Sequence, residues 1–115
     1  MDKAAALACV RRYAEEVIKE LKPEKIVMFG SYAAGRAHED SDIDVAVIFN
    51  GFEGDFLRVS SWLWSLTWKI SSQIEPILLD IANDKSGFVE EVLKMGELIY
   101  QKRRKAFGWL LTLKP

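Results

Sequence analysis

The sequence lacks the features that mark secreted, membrane-spanning and highly basic proteins. It contains one cysteine, Cys9, among its 115 residues, so a single chain cannot form an internal disulfide. No apolar run approaches the roughly 18 uninterrupted residues of a membrane-spanning helix. The 16 basic and 17 acidic side chains nearly balance, so the chain lacks the positive field that drives nonspecific binding to a phosphate backbone. These absences predict a cytoplasmic protein with no membrane span, and they give no indication of a nucleic-acid partner.

The composition that remains is that of a folded domain. Half of the residues (50%) are hydrophobic and 29% are charged, which is ordinary globular usage. A chain of this length fits one domain with its own core. We expect that domain to span residues 1–100 and to be followed by an extension, residues 101–115, in which a basic cluster precedes an apolar tail. So short a charge run is usually solvated surface, and the extension is assigned no activity.

Helices and strands alternate in the sequence pattern. Apolar residues that recur at steps of three and four predict helices at residues 7–21, 55–70 and 86–95. Short apolar runs predict strands at residues 25–29, 43–49, 73–79 and 97–100. Ser31 is the predicted N-cap of a further helix of about two turns over residues 31–37. This alternation predicts an α/β (α+β) fold, a small twisted mixed β-sheet with packed helices.

Gly30 and Ser31 stand where the first predicted strand ends. A glycine at that point lets backbone N–H groups come close to phosphate oxygens, and a helix that starts at Ser31 adds its own N–H groups and a hydroxyl. The pair therefore predicts a phosphate-binding turn. Arg36, a few residues further on, is a candidate contact to a bound triphosphate, although a loop arginine is exposed by default.

Two aspartates follow this turn and begin the second predicted strand. Asp42 and Asp44 are two residues apart, so their side chains project from the same face of a strand. Carboxylate pairs of this kind hold hard divalent cations, and two such ions about 3.5–4 Å apart activate an attacking hydroxyl and stabilise a leaving group. Glu75, on the third predicted strand, is the best-placed third carboxylate, and Asp80 is the alternative.

Each half of this pattern is weak alone. A Gly-Ser pair at a strand end is more often only a turn, and an isolated Asp-x-Asp is more often a solvated strand edge. Their combination is much more specific. About one chain in a thousand of this length would match the four fixed positions by chance. The single histidine, His38, lies in a polar loop between the two halves and is expected to be solvated.

Gly30-Ser31, ten intervening residues and Asp42-Ile43-Asp44 resemble the motif of the DNA polymerase β-like nucleotidyltransferase superfamily. The surrounding stretch, GSYAAGRAHEDSDIDVAV, looks like that of its smallest members, the minimal nucleotidyltransferase domains, many of which are antitoxins paired with HEPN-domain toxins. The resemblance covers roughly residues 22–100, and its specific motif lies within residues 30–44. It implies a palm-like nucleotidyltransferase fold.

The resemblance also implies roles for the motif residues. Gly30 and Ser31 would bind the triphosphate of ATP, Asp42 and Asp44 would bind two Mg²⁺ ions, and Glu75 would occupy the third acidic position. The reaction it implies is transfer of AMP from ATP to a tyrosine hydroxyl of a HEPN ribonuclease toxin, with this chain as the antitoxin. Many relatives carry aspartate at the position of Glu75.

Two other functions remain open at this point. In one, the chain is a binding module that neutralises its partner by occlusion, with no transfer. In the other, it is a stand-alone small-molecule nucleotidyltransferase that acts as a dimer on an aminoglycoside-type acceptor. Relatives that modify antibiotics generally carry a second domain for the acceptor, which favours an acceptor supplied by a partner protein.

The predicted helix at residues 55–70 carries two apolar stripes. A core-facing stripe contains Phe56, Val59, Leu63, Leu66 and Ile70, and a second stripe contains Leu57, Trp64 and Trp68. One helix cannot bury both stripes in a thin domain. The second stripe therefore packs under a loop or the N-terminal helix, or it forms an exposed surface for a partner or a homodimer.

Overall fold

Helices and strands alternate through residues 1–103, the part of the chain that the computed structural model describes. The elements, in chain order, are α1 (Lys3–Glu20), β1 (Lys25–Phe29), β2 (Ile43–Phe49), α2 (Phe56–Ile70), β3 (Ile74–Asp80), a short 3₁₀ helix (Ile81–Asn83), α3 (Phe88–Met95) and β4 (Glu97–Gln101). The predicted strands are therefore confirmed to within one residue at each end. Residues 104–115, most of the predicted extension, lie outside the described residues.

The four strands of this region form one mixed sheet in the order β3-β2-β1-β4. β1 runs antiparallel to both β2 and β4, whereas β2 and β3 are parallel. The parallel pair needs a crossover connection, which α2 supplies. The predicted mixed sheet with packed helices is confirmed, as is the short edge strand at its end.

The two faces of the sheet are covered by different helices. α1 and α2 pack on one face, where a large apolar cluster includes Val17, Val45 and Leu63. α3 packs on the other face, where Val89 and Val92 contact a smaller apolar cluster of the sheet. We call these the α1/α2 face and the α3 face. Tyr13 of α1 donates its hydroxyl hydrogen bond to the Leu63 carbonyl at 2.7 Å, and this buried bond ties α1 to α2.

The predicted helix at residues 31–37 is wrong. The chain forms a turn there, in which the amide of Ala34 donates to the Gly30 carbonyl at 3.0 Å and the amide of Arg36 donates to the Ser31 carbonyl at 2.9 Å. Gly35 then adopts a φ of +73°, the left-handed conformation that ends helical winding. Ser31 is consequently not a helix N-cap, and the phosphate-binding expectation has to rest on a turn.

The core-facing side of α2 also differs from the prediction at its first turn. Leu63 and Leu66 are buried as expected, but Phe56 is 48% exposed and packs edge-on against the ring of Phe52. The buried positions of α2 lie in its C-terminal half, where Thr67 takes an inward place. The first turn of α2 therefore contributes little to the core.

The helix predicted at residues 86–95 begins two residues later. Gly87 has a φ of +81°, so helical geometry starts only at Phe88. Asp84 supplies the cap, because its carboxylate accepts the hydrogen bond of the Val89 amide at 2.8 Å. Gly96 ends α3, as predicted.

Among the glycines of residues 1–103 that lie away from the motif, Gly96 has the most crowded environment. A Cβ there would overlap the Val27 side chain and the carbonyl oxygens of Met28 and Val92, although the φ of Gly96 is an ordinary −88°. We expect Gly96→Ala to lower the free energy of unfolding by about 2 kcal/mol through overpacking, as measured by urea denaturation. Gly51→Ala is the control, since no heavy atom lies within 4 Å of its added Cβ and its cost, about 1 kcal/mol, comes only from a φ of +82°. An equal or smaller loss at Gly96 would contradict this account.

The second stripe of α2 is exposed in the described structure. Leu57, Trp64 and Trp68 have exposed fractions of 76%, 47% and 86%. We call these three residues the α2 surface. The alternative in which they pack under α1 or a loop is therefore wrong for Leu57 and Trp68. Within residues 1–103, no helix combines the length and the apolar character that crossing a bilayer requires.

Candidate functional site

Strand register brings the predicted carboxylates together. Asp44 of β2 lies opposite Phe29 of β1 on one side and opposite Glu75 of β3 on the other. Residues opposite one another share a face of the sheet, and Asp44 alternates with the buried Val45 of the α1/α2 face. Asp44 and Glu75 therefore lie on the α3 face. Asp42 immediately precedes β2 and lies close enough for its negative charge to act on both Asp44 and Glu75.

The negative charge of Asp42 acts on the other two carboxylates. Burial raises the pKa of Asp44 above its ordinary value, and the charge of Asp42 raises it further. Partial desolvation, followed by the charges of Asp42 and Asp44, raises the pKa of the exposed Glu75. Crowded carboxylates that disfavour each other's ionisation are the arrangement in which a bound cation is most stabilising. We call Asp42, Asp44 and Glu75 the acidic cluster.

Oxygen chemistry at this cluster fits Mg²⁺. Among residues 1–103, no three or more His, Cys, Asp and Glu side chains form a ready-made metal cage. Magnesium does not need one, because it usually takes one or two protein carboxylates and completes its octahedron with water and substrate phosphates. Asp42 and Asp44 could supply such a pair.

Gly30 touches the acidic cluster directly. Its φ of +77° favours glycine, and a Cβ built on it would overlap Asp44 Oδ2. The turn that follows is closed by the amides of residues 34–36 and not by those of residues 31–33. The backbone of Gly30, which carries no side chain, therefore lies beside the carboxylates. This is the position at which the sequence predicts phosphate binding.

The loop between the two halves of the motif is anchored at several points. Tyr32 is buried, and its hydroxyl donates to the carbonyl of Met1 at 3.2 Å and that of His38 at 3.4 Å. The Gln73 side-chain amide donates to the Ser41 carbonyl at 3.1 Å. These contacts fix Gly30 relative to Asp42. Sequence reasoning missed Tyr32 and Gln73, because neither residue is one of the four fixed positions of the motif.

Arg36 and Asp80 occupy different places from the acidic cluster. Arg36 is exposed and lines a pocket beside Gly30. It therefore borders the turn of residues 30–36, which we call the motif turn, without contacting the carboxylates. Asp80 lies at the opposite end of β3, about 16 Å from Glu75 at the usual rise per residue. Its carboxylate accepts the amides of Gly51 and Phe52 at 2.7 and 2.9 Å, so Asp80 fixes a loop and is not the third acidic residue of the site.

Residues 13–105 match the family model described as Polymerase beta, Nucleotidyltransferase. The chain belongs to this nucleotidyltransferase family. The match contains every residue of the motif turn and of the acidic cluster.

One curated relative of this nucleotidyltransferase is the protein adenylyltransferase MntA of Shewanella oneidensis. The two are 28% identical over 81 residues, which cover 69% of this chain and 55% of MntA. The chain thus spans about half the length of the curated relative.

Solved structures share the fold. A candidate nucleotidyltransferase from Sulfolobus solfataricus aligns with a TM-score of 0.64 at 26% identity, over 90% of this chain and 86% of the other. A toxin-antitoxin structure with AMP-PNP aligns with a TM-score of 0.60 at 22% identity, over 90% of this chain and 82% of the other. The second likeness supports the fold alone.

Proposed function

We propose that the chain is a Mg²⁺-dependent nucleotidyltransferase that transfers AMP from ATP to a hydroxyl group. The observation that carries the proposal is that Asp44 and Glu75 pair on one face of the sheet, with Asp42 nearby and Gly30 in contact with Asp44. Carboxylates beside a phosphate-binding turn match the needs of phosphoryl-group transfer, where positioning and charge stabilisation do most of the work.

The reaction requires few groups of the protein. The acceptor oxygen attacks the α-phosphorus of ATP, the bond from that phosphorus to the bridging oxygen breaks, and pyrophosphate leaves. Backbone amides at residues 31–33 and the Ser31 hydroxyl bind and orient the triphosphate. Asp42 and Asp44 would hold Mg²⁺, and the bound ion would neutralise phosphate charge and lower the pKa of the attacking hydroxyl. Glu75, at the third acidic position, would accept the proton of the attacking hydroxyl.

The acceptor we propose is a tyrosine of a HEPN-type ribonuclease toxin, with this chain as the antitoxin. The proposal is supported by the curated relative, which is a protein adenylyltransferase, and by the toxin-antitoxin structure with AMP-PNP, which shares the fold. The α2 surface adds a structural reason, because two exposed tryptophans on one helix are typical of a protein-binding face. A second copy of the chain is the alternative occupant of that surface.

The direct test is nucleotide labelling. The purified protein is incubated with α-labelled ATP, Mg²⁺ and a lysate of its own source, and labelled proteins are separated and identified by mass spectrometry. We expect label on one protein band, at a tyrosine, and none when EDTA replaces Mg²⁺. Label on an added aminoglycoside without a protein acceptor would instead favour a small-molecule enzyme.

Glu75→Gln separates binding from transfer. The amide cannot take up the hydroxyl proton but keeps the size of the side chain, so we expect labelling to fall ~100-fold while the Kd for Mg-ATP changes less than ~3-fold. Glu53→Gln, an exposed position outside the site, is the matched control. An unchanged labelling rate would remove Glu75 from the mechanism.

The exposed α2 surface also favours a second function, neutralisation by occlusion. In that case the chain would silence its partner by binding alone, and the acidic cluster would hold nucleotide or have no role. Substitution of the two aspartates distinguishes the two functions.

A further inference from the structure

A pocket of about 260 Å³ opens beside the motif turn, between the end of β1 and α3. Its lining comes from two parts of the chain. The turn side contributes Phe29, Gly30, Ala34 and Arg36, and α3 contributes Phe88, Glu91, Val92 and Met95. The sequence motif does not include any residue of α3.

The pocket and the acidic cluster share the α3 face. Phe29 pairs directly with Asp44 across β1 and β2, and Gly30 contacts Asp44. A ligand whose phosphates lie at Gly30 and Asp44 therefore has the pocket as its immediate neighbour on the β1 side. A pocket of this volume accommodates one small ring system, such as a nucleobase, but not a whole drug-sized molecule.

The walls of the pocket suit a flat aromatic ring. Phe29 and Phe88 stand edge to face, with ring centroids 6.0 Å apart and an interplanar angle of 82°. Met95 is 68% exposed and Phe88 is 36% exposed, so α3 leaves an apolar and polarisable rim open to solvent. Aromatic rings stack on the π-face of a nucleobase, and thioether sulfurs make favourable contacts with aromatic rings. Arg36 and Glu91 place polar groups at the same pocket.

We propose that this pocket binds the nucleobase of the nucleoside triphosphate, with Phe88 and Met95 of α3 as its principal contacts. The proposal rests on the proposed function, because it takes the phosphates to bind at Gly30 and Ser31. It assigns α3, which lies outside the motif, to nucleotide binding. Affinity then has two separable parts, a triphosphate part at the turn and a base part at α3.

Calorimetry with two ligands separates the parts. Mg-ATP and Mg-tripolyphosphate are titrated into the wild type, into Phe88→Leu with Met95→Ala, and into the control Leu98→Ala, which removes a 52% exposed side chain from β4 outside the pocket. We expect the double variant to raise the Kd for ATP about ten-fold and to leave the Kd for tripolyphosphate and the melting temperature nearly unchanged. Leu98→Ala should change neither Kd.

Photolabelling gives a second readout. After irradiation with 8-azido-ATP and digestion with trypsin, we expect the label on the peptides of residues 86–94 or 95–102, which contain Phe88 and Met95. An unchanged Kd for ATP in the double variant, or label confined to other peptides, overturns the pocket assignment while leaving nucleotide transfer standing. A wild type that binds neither ligand overturns both proposals together.

Discussion

Asp42→Asn combined with Asp44→Asn should reduce AMP transfer at least ~1,000-fold, equivalent to about 4 kcal/mol in activation free energy. Asparagine keeps the size of each side chain but cannot supply the negative charge that holds Mg²⁺ against the phosphates. The fold should survive, since Asp42 is exposed and Asp44 only half-buried. Removal of like charges also relieves the repulsion that raises the pKa of Asp44, so the metal-free melting temperature should not fall.

The matched control is Asp40→Asn, which changes the same charge in the same loop two residues before Asp42, at an exposed position. Its labelling rate should stay within ~2-fold of the wild type. The decisive comparison adds the partner. If the double variant neutralises the partner as well as the wild type does, occlusion replaces transfer as the function. If neutralisation is lost while the complex still forms, transfer is the function.

Trp64→Ser combined with Trp68→Ser should abolish association with the partner. Buried tryptophans at interfaces typically contribute about 2 kcal/mol or more each, so the pair predicts a Kd at least ~1,000-fold higher. The fold should remain intact, because the two side chains are 47% and 86% exposed. Light scattering coupled to size exclusion, on the chain alone and with its partner, measures the result.

Leu98→Ser is the control for that experiment, since it replaces an exposed apolar residue on β4 and not on α2. A drop in mass of the chain alone would assign the α2 surface to a homodimer. A drop only in the mixture would assign it to the partner. Unchanged masses in both samples would remove the α2 surface from any interface.

Much of the site could be predicted from sequence because its key contacts follow from strand pattern. Asp44 and Glu75 meet because β2 and β3 each place a carboxylate at matching positions, and apolar periodicity located both strands. The sequence alone leaves two candidates for the third carboxylate, Glu75 and Asp80, because Asp80 ends the same apolar run. Only the register shows that Asp80 lies at the far end of β3.

Other features depend on backbone geometry that periodicity does not encode. Residues 31–37 have helical composition, but Gly35 with positive φ ends the winding after one turn. Phe88 and Met95 look like core residues of α3, yet Val89 and Val92 are the buried ones. The rotation of α3 about its own axis determines which of its residues are buried against the sheet. An eight-residue helix has too short an apolar pattern to predict that rotation.

The two faces of the sheet separate the two surfaces that the proposed function uses. The acidic cluster lies on the α3 face, whereas α2 and its exposed tryptophans lie on the α1/α2 face. In the proposed function, a partner bound to the α2 surface would therefore leave the acidic cluster uncovered. ATP could then enter and pyrophosphate could leave while the complex stays together.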